Sequence, residues 1–288
     1  MRVAIIGLGL IGGSLGLALK KAMGKEVEIM GYARRPETIS QAMELGAIDS
    51  SEPSLTNVVR RAELIIIATP VTAIKKVLQQ IAPCLLPNTI VTDTASTKVQ
   101  VMEWAREYLS PEVDFIGGHP MAGKEKFGIQ AAQADLFQGS TYCLTTAPET
   151  SPEATQSIVE MVEEIGAIPF FTEASEHDYL VAGISHLPLL LSAALVSVTT
   201  QDPSWGKMAK LAATGYKDLT RLASGNPKVN GDICLTNKEA ILHWIDGFTG
   251  ELERFRQLVA SGGDELERVL AEMSEARQRW LQQRGGER

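Results

Sequence analysis

The chain has 288 residues, long enough for two domains, and its 44% hydrophobic and 22% charged content is that of an ordinary globular protein. A formal charge of −8 argues against a general nucleic-acid or membrane-surface role, so any anionic ligand must be met by locally placed cations. Cys84, Cys143 and Cys234 are scattered without a CxxC pair or metal-ligand spacing, which fits a reducing compartment and predicts neither a disulfide framework nor a metal site.

A strand begins at once with Val3-Ala4-Ile5-Ile6, with no signal peptide before it, and the apolar run 187–198 is too short and too interrupted to span a bilayer comfortably. A cytoplasmic protein is expected. Apolar runs predict strands at 3–6, 27–32, 64–68, 89–92, 114–116, 142–145 and 168–170. Between them, helical patterns cover 13–23, 36–44, 71–81, 98–108 and 152–165. Such alternation specifies an α/β fold, a doubly wound, mostly parallel sheet with helices on both faces. From 175 onward the pattern is helical only, at 182–200, around 204–223, at 238–260 and at 264–283. The expected division is therefore 1–172 for the sheet domain and 173–288 for an all-helical domain.

Gly7-Leu8-Gly9-Leu10-Ile11-Gly12 follows the first strand and opens the first helix. The first glycine permits the tight turn, the second lets backbone approach a pyrophosphate, and the third allows close helix packing. Free N–H groups at the helix start then face the phosphates. Strand, glycines, helix and second strand together make this a Rossmann-type dinucleotide site and not merely a glycine-rich turn. Leu10 and Ile11 in the turn, and Thr69 and Pro70 after the 64–68 strand, complete the expected cofactor set. The ribose-binding acid expected about 20 residues beyond the glycines is missing from Gly31-Tyr32-Ala33-Arg34-Arg35-Pro36. Without that carboxylate, Arg34 or Arg35 can grip a 2′-phosphate by charge-assisted bonds, so NADP is expected; the plain alternative is two surface arginines.

Loops at strand C-termini converge on the ligand crevice of such a sheet. Asp93-Thr94-Ala95-Ser96-Thr97-Lys98 follows the 89–92 strand, and Gly117-Gly118-His119-Pro120-Met121-Ala122-Gly123 follows the 114–116 strand. An imidazole takes a proton from an alcohol as hydride leaves, because its pKa sits near working pH, so His119 is the candidate base. Ser96 is a candidate hydrogen-bonding partner, although Ser96 or Thr97 could equally cap the next helix. Ser185-His186-Leu187-Pro188 is placed at the start of the long apolar helix, and Gly215-Tyr216-Lys217-Asp218-Leu219-Thr220-Arg221 supplies cations in the helical half. His177 and His243 carry no chemistry legible in their surroundings.

Together, Gly7–Leu15, Asp93–Lys98, Gly117–Gly123, Ser185–Pro188 and Gly215–Arg221 resemble the prephenate/arogenate dehydrogenase family of tyrosine biosynthesis, over nearly the whole chain and most specifically in GGHPMAG. The resemblance implies oxidative decarboxylation of a cyclohexadienyl substrate. It implies that His119 polarises or deprotonates the ring hydroxyl with Ser96 nearby, that Arg221 binds the ring carboxylate, and that His186 and Lys124 line the substrate site. It also implies a homodimer formed through the helical half. Many relatives carry a second histidine three residues after the first in the SHLP motif, where this chain has Leu189, and several have a small or neutral residue where Lys124 stands. Leu189 and the arginine-bearing second strand resemble arogenate-using, NADP-dependent members, with prephenate as the alternative substrate. Beyond Ala260 only 28 residues remain, patterned as one helix, so any feedback by tyrosine is expected at the active site itself. A β-hydroxyacid dehydrogenase would need a lysine base in a glycine-rich helix, which is not found here. A non-catalytic NADPH-sensing protein would need the glycines but neither His119 nor Arg221.

Overall fold

The structure, a computed structural model of the chain, describes residues 1–124 and 126–285. The first half runs β1 (Arg2–Ile6), α1 (Leu10–Met23), β2 (Glu28–Tyr32), α2 (Pro36–Glu44), β3 (Ser50–Ser51), α3 (Leu55–Val59), β4 (Leu64–Ile67), α4 (Val71–Ile81), β5 (Ile90–Asp93), α5 (Val99–Tyr108) and β6 (Asp114–Pro120). It continues through β7 (Thr141–Thr145), α6 (Pro152–Glu164) and β8 (Ile168–Phe171). The remainder is α7 (Ala174–Val181), α8 (Leu187–Thr200), α9 (Trp205–Leu211), α10 (Thr214–Thr220), α11 (Pro227–Thr236), α12 (Lys238–Ser261) and α13 (Asp264–Gly285).

Among the described residues the strands form one sheet in the order β3-β2-β1-β4-β5-β6-β7-β8. All neighbours pair in parallel except β6 with β7. The doubly wound α/β architecture, with helices alone after β8, is as the sequence implies. The central strands are apolar on both faces because helices cover both. Along β1, Val3 and Ile5 join the core beneath α1 and α6, while Ala4 and Ile6 join the core beneath α3, α4 and α5. The two-residue period of a strand produces that alternation. Each fully buried aliphatic side chain such as Ile65 or Ile66 contributes about 1.5–3 kcal/mol.

Three sequence expectations are corrected. The strand predicted to stop at Ile116 runs on to Pro120, because Gly117–Pro120 pairs antiparallel with Tyr142–Thr145. His119 therefore stands on a strand and not in a loop. The SHLP motif does not begin a helix: α7 continues through a π-helical segment, Ala182–His186, into α8. Pro188 has no N–H for the ordinary i→i−4 bond, and a wider turn there accommodates the loss. The apolar helix consequently runs unbroken over 27 residues, Ala174–Thr200, long enough by length and composition to cross a membrane, contrary to the estimate from 187–198 alone. Its first turns are nonetheless bound into the protein, as His177, Asp178 and His186 are buried and hydrogen-bonded. Lastly, the pattern around 204–223 resolves into short helices, and α11 follows unannounced, capped by the Asn226 side chain with Pro227 in its first turn.

The chain divides into two compact units, 1–238 and 239–288. The first holds the sheet and α1 to α11. In the second, α12 and α13 carry exposed intrahelical pairs such as Arg254–Glu251, Arg256–Glu253 and Arg268–Glu265, the solvated faces expected of them.

Candidate active site

Ile6, Ile67 and Asp93 lie in one row across β1, β4 and β5, so the segments that follow them leave the sheet at a common edge. β6 pairs with β5 up to Thr92–Ile116, which places His119 just beyond that row, at the same edge. The corner is tied together by a fully buried ion pair. Lys98 Nζ donates to Asp93 Oδ2 at 2.5 Å and to the Gly118 carbonyl at 2.7 Å. Asp93 in turn accepts from the Ala95 N–H (2.8 Å) and the Gly118 N–H (3.1 Å). Every strong group here has a partner, as burial requires. The result fixes the backbone one residue before His119.

His119 is 9% exposed and faces α7. Its Nδ1 lies 2.9 Å from His177 Nε2, and His177 Nδ1 lies 2.8 Å from Asp178 Oδ1. The two rings meet edge to face, 5.1 Å apart. Asp178 also caps α5, accepting from the N–H groups of Lys98 (2.7 Å) and Val99 (3.0 Å). Neither Ser96 nor Thr97 takes that cap: Thr97 pairs with Thr236 at 3.0 Å, and half-buried Ser96 has no hydrogen-bond partner among the described residues. Burial, then the neighbouring His177, Lys98 and His186, hold the His119 imidazole well below the usual histidine range. It is neutral at pH 7, the form that can accept a proton.

His186 is buried in the π segment, with Nδ1 3.2 Å from the Asn237 amide, and burial above all lowers its pKa to about 4. Its Nε2 is buried without a hydrogen-bond partner among the described residues. Asn237 also donates to the Asp178 carbonyl at 2.7 Å, linking the two histidine-bearing turns. Lys124 is exposed and hydrogen-bonded to Gln133. Arg221 is exposed at the start of the 3-10 turn Arg221–Ser224, which packs on α8 through the Ala223 N–H to Ser192 Oγ bond of 2.9 Å. The structure thus brings His119 and His186 into one buried neighbourhood and leaves Lys124 and Arg221 on the surface of the first unit. Sequence reasoning missed His177, Asp178 and Lys98. The adjacency of His177 and Asp178 was a signal of sorts, but their target lies 58 residues away in the chain.

At the other end of this edge, Gly7 sits at φ +103, and a Cβ there would fall 2.5 Å from the Ala68 carbonyl oxygen and 3.0 Å from the Thr69 nitrogen. A Cβ on Gly12 would lie 1.9 Å from the Gly7 carbonyl oxygen. Both positions need glycine for the turn and for packing. Gly9 differs: a Cβ there would meet no atom within 4 Å, so the protein alone does not demand glycine at that position. α1 begins at Leu10 with no side-chain cap, leaving the N–H groups of its first turn unpaired within the helix. Thr69, whose backbone nitrogen lies against Gly7, has its Oγ1 buried without a hydrogen-bond partner among the described residues. Open space over Gly9, unmet donors and an orphaned hydroxyl fit the phosphates of a dinucleotide. Such a cofactor supplies a hydride acceptor. Arg34 and Arg35 follow β2, both exposed, with no ion-pair partner among the described residues.

Comparison with known proteins gives the same assignment. Residues 15–169 match the prephenate dehydrogenase nucleotide-binding domain, and residues 173–274 match the prephenate dehydrogenase dimerization domain. The chain is 37% identical over 262 residues to a prephenate dehydrogenase of Bacillus subtilis (strain 168), covering 89% of this chain and 70% of that protein. Among solved structures it is similar to Synechocystis arogenate dehydrogenase, with 31% identity, a TM-score of 0.83 and coverage of 97% of this chain and 100% of that one. It is also similar to prephenate dehydrogenase from A. aeolicus in complex with hydroxyphenyl propionate and NAD+, with 29% identity, a TM-score of 0.90 and coverage of 97% and 98%. An uncapped glycine turn and a buried imidazole share one sheet edge, and both domains match in order along the chain. The chain belongs to the prephenate/arogenate dehydrogenase family of oxidoreductases.

Proposed function

We propose that the chain oxidatively decarboxylates arogenate to tyrosine with NADP as hydride acceptor. The observation that carries the catalytic part is the neutral, buried His119 at the sheet edge that also bears the glycine turn. In this reading His119 accepts the proton of the ring hydroxyl, and Ser96 donates or accepts a hydrogen bond beside it. The C–H bond at the hydroxyl-bearing carbon breaks as hydride leaves, the electron pair of the bond to the departing carbon dioxide enters the ring, which becomes aromatic, and His119 returns the proton to the phenolate oxygen. Arg221 binds the ring carboxylate, with His186 and Lys124 toward the substrate side chain. Gly7, Gly9, Leu10, Ile11, Gly12, Thr69 and Pro70 hold the dinucleotide. Arg34 and Arg35 take the 2′-phosphate, in place of the acid that a ribose hydroxyl would need.

The functional halves are 1–172 for the cofactor and 173–288 for substrate binding and for dimerisation. The dimerization-domain match over 173–274 and the exposed apolar side chains of Ile184, Val198, Leu211 and Leu219 support a homodimer. Arogenate is favoured by Leu189, which replaces a second histidine in the SHLP motif. Prephenate is the second reading, favoured by the name of the Bacillus subtilis relative. Steady-state assays with each substrate, and with NADP and NAD in turn, decide between them. The expected result is a higher kcat/KM for arogenate with NADP; a higher value for prephenate, or equal use of NAD, overturns the corresponding half of the assignment.

A further inference from the structure

We propose that Asp178 and His177 form a positioning relay that holds His119 as its Nδ1–H tautomer and leaves Nε2 as the proton acceptor. The proposal rests on the reading of His119 as the base and adds which nitrogen does the work. A carboxylate can only accept hydrogen bonds. Asp178 Oδ1, already accepting the Lys98 N–H, therefore receives the Nδ1–H of His177 at 2.8 Å. A neutral imidazole carries one N–H, so His177 Nε2 then holds a lone pair. That lone pair faces His119 Nδ1 at 2.9 Å. Two lone pairs cannot meet at hydrogen-bond distance, so Nδ1 of His119 carries the proton. Its Nε2 is left bare. The same logic, a carboxylate setting the tautomer of the base that it orients, operates in hydrolytic triads, here with one more ring in the chain.

The relay is anchored from several directions. Asp178 is pinned to the N-terminus of α5 by two backbone bonds, and its own carbonyl is held by Asn237. The groups around His119 are His177 and Asp178 of α7, His186 of the π segment, Lys98 and Asp93 at the β5–α5 corner, and Cys143 across the β6–β7 pairing. Burial first, and then the Lys98 cation, disfavour a positive charge on His119, which keeps the ring neutral before the reaction. When Nε2 takes the substrate proton, Asp178 at the far end of the relay is the anion that offsets the new charge.

The chain has four histidines, so 15N-histidine NMR of the free protein resolves each ring. The expected wild-type spectrum has His119 protonated at Nδ1 with a pyridine-like Nε2, and His177 likewise protonated at Nδ1. His177→Leu removes the acceptor, and His119 should shift toward the Nε2–H form. kcat should then fall about 10- to 100-fold, the usual cost of losing a group that orients a functional histidine, with KM unchanged. His177→Gln returns an acceptor oxygen near the position of Nε2 and should restore both the tautomer and most of the rate. An Nε2–H His119 in the wild type, a doubly protonated His177, or a folded His177→Leu protein with wild-type kcat overturns the proposal. If His177→Leu does not fold, the wild-type spectrum and the Gln variant still decide. The tautomer is read without turnover, so the expected spectrum in a chain inactive on both substrates would overturn the functional assignment and not the relay.

Discussion

The two ends of the candidate site are built on opposite principles. At the base end, Asp93, Lys98, His119, His177 and Asp178 are buried and hydrogen-bonded to one another. At the cofactor end, among the described residues, the first turn of α1 has no side-chain cap, Thr69 Oγ1 has no hydrogen-bond partner, and Gly9 opens onto space. The base end is organised before any ligand arrives, and its geometry costs nothing more at the moment of reaction. The cofactor end leaves donors for the ligand to satisfy. Substitutions at the two ends should therefore fail differently, the first in rate and fold, the second in affinity alone.

The sharpest break is His119→Asn. Loss of a positioned base should lower kcat by roughly 10²- to 10⁴-fold while leaving the cofactor dissociation constant nearly unchanged. Stopped-flow turnover beside a cofactor titration separates the two effects; near-normal turnover in the folded variant would remove His119 from the chemistry. Lys98→Ala should come next, read in stability. It strands Asp93 as an uncompensated buried charge, a loss of about 3–5 kcal/mol by urea denaturation. A loss below about 1 kcal/mol would show that the corner is not held by that pair.

Acid should also act on the base end. Burial holds the pKa of His186 near 4, below its unfolded value of 6.5. Between those values the unfolded chain binds a proton that the folded one does not, so stability is full above about pH 6.5 and falls as pH drops toward 4. The loss from His186 alone reaches about 3 kcal/mol, and His119, shifted the same way, adds to it. Denaturation midpoints measured from pH 7 to 4 should decline, and less steeply in His186→Asn; a flat profile, or a His186→Asn decline as steep as the wild type's, would redraw the electrostatics. At the cofactor end, Arg34→Ala and Arg35→Ala should each weaken NADP binding by roughly 10- to 150-fold, the worth of about 1.5–3 kcal/mol for a charge-assisted bond, if that residue holds the phosphate. Binding of NAD should hardly move, and neither variant should melt earlier. Equal losses for both cofactors in isothermal titration would place these arginines away from the 2′-phosphate.

What the sequence by itself determined is whatever neighbouring residues encode. The glycine turn was legible because its function is local: Gly7, Gly9 and Gly12 shape a few residues of backbone, and a strand and a helix flank them at fixed spacing. The strands of the parallel core were legible because burial on both faces leaves unbroken apolar runs such as Leu64–Ile67. The continuation of β6 through His119 was not, since Gly117 and Gly118 carry no strand propensity and only pairing with β7 extends them. Nor was the π segment at Ala182–His186, where the proline looked like a helix start and tertiary packing kept the helix whole. The relay was the least visible of all. His177 and Asp178 lie in a short, weakly patterned helix, and nothing in their own surroundings names His119 as their target. Only packing α7 against the sheet edge places them within hydrogen-bond reach, because a hydrogen bond acts over about 3 Å of space whatever the length of chain between its partners.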